Sequence, residues 1–515
     1  MADELSLHDA TEGTSFLGSD EQQEPEQRGR QSAKADVPSS RWTISRYQVS
    51  SPNAVVGLVS LIIFCMALSG TMSLIPLGRL IEDAICRRYY GSSDPVDEKL
   101  CKVDEVQTEL AWLGGLYVVI DSTIGFIVSF PWGIISDRLG RKPVFRLAFL
   151  GLIVGGSWTV LVIIRSDIFP IWLMLLSPLF TILGGGVPVF GAVVNSIIAD
   201  VTTERTSGFL WLSLGAVTGA VAGPGLSAKL MEATNPWVPL YVTSAFAPFI
   251  FLATVFLPET RPRQIELPAT KPDNESLGAA LVSHVKHART QLAESISVLR
   301  SRSIAILLCL FFVHSPVIIS HGQTIAQTIS KRFHWTLAQT GYLFSIKGIL
   351  TVVVLAAMPF FSSFLASPRL GKYRLSIFKR DLRLAQLSLV FLIVGSILMG
   401  GETLPEVITG LVVSTLAIGI DSLAKGMIAS YVDKEHTSRL YALTGMTETA
   451  GRFFGAPSLA WTFERGVKSG WMGLPFYFVA VLCTLTLAAL CFVQQPETID
   501  DDDDEQGETR SLNTA

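Results

Sequence analysis

The sequence predicts an all-α membrane protein, with twelve transmembrane helices arranged as two pseudo-symmetric six-helix bundles. Three observations lead there. The chain of 515 residues is 49% hydrophobic and only 16% charged, with a mean hydropathy of +0.44, whereas soluble domains carry about a quarter charged residues. A helix needs roughly 20 apolar residues to cross a bilayer. Such runs occur near 54–76, 112–135, 144–164, 170–199, 208–230 and 237–257, and again near 303–328, 338–365, 384–401, 405–431, 439–462 and 471–493. Short segments also recur across the polar stretch that separates these two sets of six.

Span 6 closes with Pro258, Glu259 and Thr260, and span 12 with Pro496, Glu497 and Thr498. "TERTSGFL" (203–210) precedes span 5 as "KEHTSRLY" (434–441) precedes span 11. "GAVAGPGLSA" (219–228) parallels "GRFFGAPSLA" (451–460), and "GLYVVID" (115–121) parallels "GYLFSIK" (341–347). The four matches keep one order and an offset of 226–238 residues, the mark of a duplicated bundle. The expected organisation is a polar cytoplasmic tail over 1–50, a first bundle over 51–257 and a cytoplasmic linker over 258–302. A second bundle over 303–495 and an acidic tail over 496–515 follow. The first tail is rich in Gln, Glu, Ser and Arg and lacks the apolar core of a secretory signal. The second carries a run of acids at 500–505.

Span 1 leads to a connection, about 77–110, that mixes acids and bases. Lys and Arg gather instead after span 2 (Arg138, Arg141, Lys142, Arg146), in the middle stretch, and after span 8 (Arg369, Lys372, Arg374, Lys379, Arg380, Arg383). Basic connections stay in the cytoplasm, and an even number of spans places both tails there. The connection after span 1 is then outside. It holds Cys86 and Cys101, which an oxidising exterior allows to pair; two free surface thiols are the alternative. Cys65, Cys309, Cys483 and Cys491 lie within spans, where thiols pack as small apolar groups.

Between spans 2 and 3 stands "GIISDRLGRKP" (133–143). Gly140 permits a tight reversal, and the bases fix topology. Topology alone needs no acid at Asp137. The stretch resembles the loop between helices 2 and 3 of the major facilitator superfamily, G-x-x-x-D-R-x-G-R-K, matched by Gly133, Asp137, Arg138, Gly140, Arg141 and Lys142. Over about 50–495 the chain is similar to fungal members of that superfamily, of the drug or metabolite:proton antiporter kind. The resemblance implies that Asp137 lies near the start of span 11, about Thr437–Ser438, where a helix N-terminus favours negative charge. It also implies that Arg141 pairs with an acid closing span 4, a place Asp200 occupies. Such contacts would latch the halves while the cavity opens outward and break as it opens inward. The second-half stretch "SSFLASPRLGKYR" keeps the bases without the acid, which makes the latch asymmetric.

Span 5 sets Gly215, Gly219 and Gly223 four apart, followed by Pro224. Small residues at that spacing let a neighbouring backbone approach, and proline bends the helix. Gly219, Gly223 and Pro224 also resemble the helix-5 motif of exchangers in the family, G-x-x-x-G-P-x-x-G-G, with Ser227 and Ala228 replacing its last two glycines.

An ionised group at the bilayer centre costs about 2.5–3.5 kcal/mol on insertion scales, so each needs a reason. Six stand out: Asp121 in span 2, Lys347 in span 8, Asp421 and Lys425 in span 10, and Glu448 and Arg452 in span 11. The last four form i,i+4 pairs of opposite charge. They either neutralise one another or exchange a base for a proton, with Asp121 and Glu448 the leading carriers and Asp421 next. The family packs span 2 beside span 11, which implies that Asp121 approaches Arg452. His314 and His321, seven apart in span 7, share a similar face, and span 7 lines the cavity in this family. With Gln323, Gln327 and Asn195 in span 4 they are the candidate substrate-cavity residues. "SPLFTILGGGVP" (177–188) lacks the Arg that the family places in helix 4.

No Walker loop, metal-ligand cluster, dinucleotide fingerprint or nucleophile elbow is visible, so no catalytic residue, metal or cofactor is expected. The net charge of −4 argues against nucleic-acid partners. A middle stretch of about 45 residues is too short for a nucleotide-hydrolysing domain. The expected function is proton-coupled export of a small organic molecule by a monomer that has lipid, substrate and protons as its partners. The alternative is a proton-coupled importer of a nutrient or vitamin. The plasma membrane is the expected site, with the vacuolar membrane as the alternative.

Overall fold

The structure, a computed structural model, describes residues 49, 51–201, 205–260, 302–365, 377–431 and 437–495. Every regular element among them is helical. The α-helices are α1 (Pro52–Tyr90), α2 (Asp104–Leu139), α3 (Arg141–Ile164), α4 (Gly186–Val201), α5 (Arg205–Ala233) and α6 (Trp237–Phe256), then α7 (Arg302–Ile319), α8 (Ile325–Phe333), α9 (Leu337–Leu365), α10 (Ile377–Met399), α11 (Leu404–Thr415), α12 (Ile420–Ala429), α13 (Thr437–Ser469) and α14 (Leu474–Leu490).

Nine helical runs among the described residues are long and apolar enough to cross a membrane, and they supply spans 1–4 and 6–10. Of the other spans, α13 is lowered in hydropathy by Glu448, Arg452, Glu464, Arg465 and Lys468, and α14 has only 17 residues.

Two boundaries differ from the sequence expectation. The connection expected over 77–110 is mostly helix, because α1 has 39 residues and ends only at Gly91, which takes φ 65°. That helix is about 58 Å long, well beyond a hydrocarbon core of about 30 Å. Its last turns are polar, but their charges pair along the helix, Arg79 with Glu82 and Asp83, and Asp83 with Arg87. Pairs at that spacing support a helix without apolar residues, so counting apolar residues misses the extension. Span 4, expected as one helix over 170–199, is instead a 3-10 run (Ile171–Ile182) followed by α4. Gly184, Gly185 and Gly186 between them take φ of 92°, 86° and 64°. A Cβ on Gly184 would lie 2.1 Å from the Ala148 amide nitrogen of α3, so only glycine fits there.

Span 7 is continuous but uneven: a π turn, Ser320–Thr324, joins α7 to α8. Span 10 is α11 and α12 with a tight turn between them. One apolar core holds Ile62, Phe145, Ala148, Val194 and Ile197 before residue 260. Another holds Leu307, Phe311, Leu389, Ile428 and Val479 after residue 302.

Glycines set the closest crossings. Cβ atoms on Gly215, Gly219 and Gly223 would lie 2.6 Å from Ser60 O, 2.5 Å from Phe64 O and 2.1 Å from Thr71 Oγ1, so α5 lies directly on the α1 backbone. After residue 302, Gly451 and Gly455 of α13 meet Phe312 O at 2.2 Å and Pro316 at 2.7 Å on α7. The crossing of α1 with α5 thus has its counterpart in α7 with α13, where α5 and α13 carry segments that repeat in the sequence.

Candidate functional site

Cys86 and Cys101 are bonded and fully buried. They mark one end of the molecule, and the loop between α2 and α3 marks the other. Described contacts between helices before 260 and after 302 concentrate toward the disulfide end. On α5 and α9, Ser345 donates to Val221 O at 3.2 Å, and Gly341 is packed by Ile75, Pro224 and Ala228. On α2 and α13, Gly115 lies against Ala456 and Ala460, and Trp112 donates to Glu464 at 2.7 Å. A small cleft at this seam is lined by Gly114, Gly115, Val118, Gln323, Gln327, Ala456 and Ala460, among others.

Gln323 of the π turn and Gln327 of α8 therefore sit where the halves meet, facing α2 and α13. A Cβ on Gly114 would strike Gln323 Nε2 at 1.9 Å, so the amide rests on bare backbone. Gly114 escaped the sequence reading. A glycine pair in an apolar span gives no sign of which neighbour uses it. Asn195 is exposed on α4.

The mid-span charges form two groups. Asp421 Oδ2 pairs with Lys425 Nζ at 2.7 Å on α12. Carboxylate oxygens of Asp421 and Glu448 and a ring nitrogen of His314 lie within 4.8 Å of one another. These three come from α12, α13 and α7, and none is fully buried. Ser315 steadies the corner by donating to the Glu448 carbonyl at 2.9 Å. The sequence offered no metal-ligand cluster, yet folding brings three groups able to bind a cation or a proton into one corner. Their separation along the chain, 314 to 448, hides them from any spacing rule.

Asp121 on α2 lies within electrostatic reach of Arg452 on α13. Lys347 donates to the His321 carbonyl at 3.4 Å, and among the described residues no carboxylate comes within ion-pair distance of it. His321 is buried, and its Nε2 has no hydrogen-bond partner among them. The two histidines do not share partners as their seven-residue spacing suggested. His314 meets α12 and α13, while His321 meets α9. The π turn that begins at Ser320 widens the helix there and rotates His321 away from an α-helical register.

At the other end, Arg141 Nε lies 3.5 Å from Asp200 Oδ2, and Gly140 takes φ 106°. Glu259 accepts from the backbone N–H of Arg141 at 2.8 Å and of Lys142 at 3.1 Å. Its carboxylate thus caps the N-terminus of α3, where free N–H groups and the helix dipole favour an anion. Lys142 Nζ donates to Val255 O at 2.9 Å, and Arg146 donates to Thr254. The first PET sequence, noted only as a repeat marker, is the seat of this loop. The side chains of Asp137 and Arg138 lie outside the described residues, as do 366–376 and the second PET sequence. Gly133 is exposed on α2 with open space where a Cβ would go.

Residues 58–456 match the family model described as Major Facilitator Superfamily. The MFS efflux pump atnC of Emericella nidulans is 28% identical over 480 residues, spanning 87% of this chain and 91% of that protein. The efflux pump ustT of Aspergillus flavus is 26% identical over 510 residues, spanning 94% and 95%. Among solved structures, the nucleoside transporter NupG superposes with a TM-score of 0.59 at 14% identity, covering 85% of this chain and 98% of that one, a likeness of fold alone.

Proposed function

The chain belongs to the major facilitator superfamily, a family of membrane transporters, and from that premise we propose that it exports a small amphipathic organic compound in exchange for protons. The observation that carries the proton coupling is the convergence of His314, Asp421 and Glu448 within 4.8 Å, with Lys425 already on Asp421. Two carboxylates so close repel when both are ionised, and a proton or a cation relieves that repulsion. Lys425 supplies a cation on one side; a proton arriving at Glu448 or His314 supplies the other. Asp121, within electrostatic reach of Arg452 across α2 and α13, is a second carrier that trades that base for a proton. Gln323 and Gln327 offer hydrogen bonds to a substrate at the seam.

Export is favoured over import because relatives matching nearly the whole chain carry the name efflux pump. The protein acts as a monomer in the plasma membrane with both tails in the cytoplasm, so the disulfide end faces outward. Arg141 with Asp200 belongs to the cytoplasmic gate, and Asp137 completes it against the start of α13. Two six-helix bundles, 51–257 and 303–495, rock about the charged midplane.

The test is flux in vesicles of purified protein under an imposed pH difference, with a fluorescent amphipathic dye as solute. Dye is expected to move against the proton flow, and Asp421→Asn with Glu448→Gln to slow it at least about tenfold, the loss of one charge-dependent step. Dye movement that ignores the pH difference, or full rates in both variants, rejects the reading.

A further inference from the structure

The disulfide end holds a charged network that the transport reading leaves without a role. Segment 91–103 is fastened to the projecting end of α1 by the Cys86–Cys101 bond. Arg79 donates to Val96 O at 3.1 Å, Val96 N–H donates to Asp83 at 3.3 Å, and Tyr90 donates to Leu100 O at 3.1 Å. Beneath them Glu82 is fully buried and accepts from Lys102 Nζ at 2.6 Å and from Gln107. So fixed, the segment and the adjoining Asp104 present three acceptors to the other half. Glu98 Oε1 accepts the Leu337 N–H at 2.8 Å, at the first residue of α9. Lys102 O and Asp104 Oδ1 accept from Lys331 Nζ at 2.9 and 2.5 Å.

Lys331 is the telling residue. Its side chain is only 4% exposed, against 57% for Asp104, and both partners of its ammonium among the described residues come from the opposite half. A nearly buried ammonium is tolerated only while such partners hold it. Parting the halves at this end strips both at once and frees the α9 N-terminus.

We propose that the disulfide-closed segment 91–103, with Asp104, is the gate at this end, and that Lys331 and the α9 N-terminus are what it grips. The bond's role is to hold Glu98 and Asp104 at a fixed reach, so that closing costs little chain entropy. The proposal rests on the alternating-access reading, but its test needs neither substrate nor a proton gradient.

A reporter cysteine, Ser345→Cys, is placed at the α5–α9 seam in a chain whose exposed Cys309 and Cys491 are replaced by serine. An impermeant maleimide is added on the disulfide side. Lys331→Gln, Asp104→Asn and the double variant Cys86→Ser/Cys101→Ser are each expected to raise the labelling rate about tenfold, as loss of a charge-assisted contact predicts. Unchanged rates in the first two overturn the grip on Lys331, and an unchanged rate in the serine pair removes the segment from the gate. Should the serine pair fail to reach the membrane, the Lys331 and Asp104 variants decide. Raised labelling in a protein that moves no dye under a pH difference upholds the gate even where the export reading fails.

Discussion

Single residues were legible in the sequence where their cost was high. Asp121, Lys347, Asp421, Lys425, Glu448 and Arg452 stood out because ionised groups in apolar runs demand an explanation. From spacing alone their partners were legible only at i,i+4, as for Asp421 and Lys425; the approach of Asp121 to Arg452 was implied by the family resemblance. The convergence of His314 with Asp421 and Glu448 depends on how three helices pack, which no local spacing encodes. Glu259 shows the same limit from another side: it was noted because it recurs, and only the fold reveals that it accepts two N–H groups of α3. Glu259→Ala is expected to cost about 1 kcal/mol, as the loss of a helix cap does, and to lower the melting temperature of detergent-purified protein by a few degrees. Glu259→Gln, which keeps an acceptor, should recover most of the loss. A melting temperature unmoved by the alanine change would show that the α3 terminus finds other partners at no cost.

Helices were legible by apolar length but not by where they stop. The extension of α1 to Tyr90 rests on charge pairs that a hydropathy count discards. The division of span 4 rests on three consecutive glycines whose positive φ is compatible with a turn as readily as with a helix. The π turn at Ser320–Thr324 leaves no mark in composition at all. The glycine spacing of α5, by contrast, was readable as a packing face, and the face is now assigned to α1. A side chain at Gly219 meets Phe64 O and the Leu68 amide, backbone atoms that cannot rotate away. Gly219→Leu is therefore expected to cost about 1–3 kcal/mol by overpacking, to reduce the amount of folded protein recovered, and to slow dye exchange by what survives. Ser227, in the same helix and replacing a family glycine, is fully buried; Ser227→Gly is expected to fold normally. If Gly219→Leu were recovered in full, the α1–α5 contact would have to be looser than these distances allow.

At the scale of the whole molecule, the duplication seen in four short matches reappears as two equivalent glycine crossings. Duplication does not dictate which end of the two halves closes. That is set by unlike pieces: a first connection of mixed charge with its own disulfide has no counterpart after span 7, where α8 and α9 are joined by only three residues. Contact at the disulfide end is also built on small residues, with Gly341 lying 2.8–2.9 Å, by its absent Cβ, from Ile75, Ala228 and Pro224. A larger residue there cannot be absorbed by one flexible side chain, because one of the three neighbours is backbone. Gly341→Val should thus penalise the conformation closed at this end by about 1–3 kcal/mol, a shift of about 5- to 150-fold in the balance between the two ends. In the Ser345→Cys reporter chain, labelling from the disulfide side should rise and labelling from the opposite side should fall, the ratio of the two rates changing within that range. The paired opposite changes are what separate a shifted two-state equilibrium from simple loosening of the fold, which would raise both rates together.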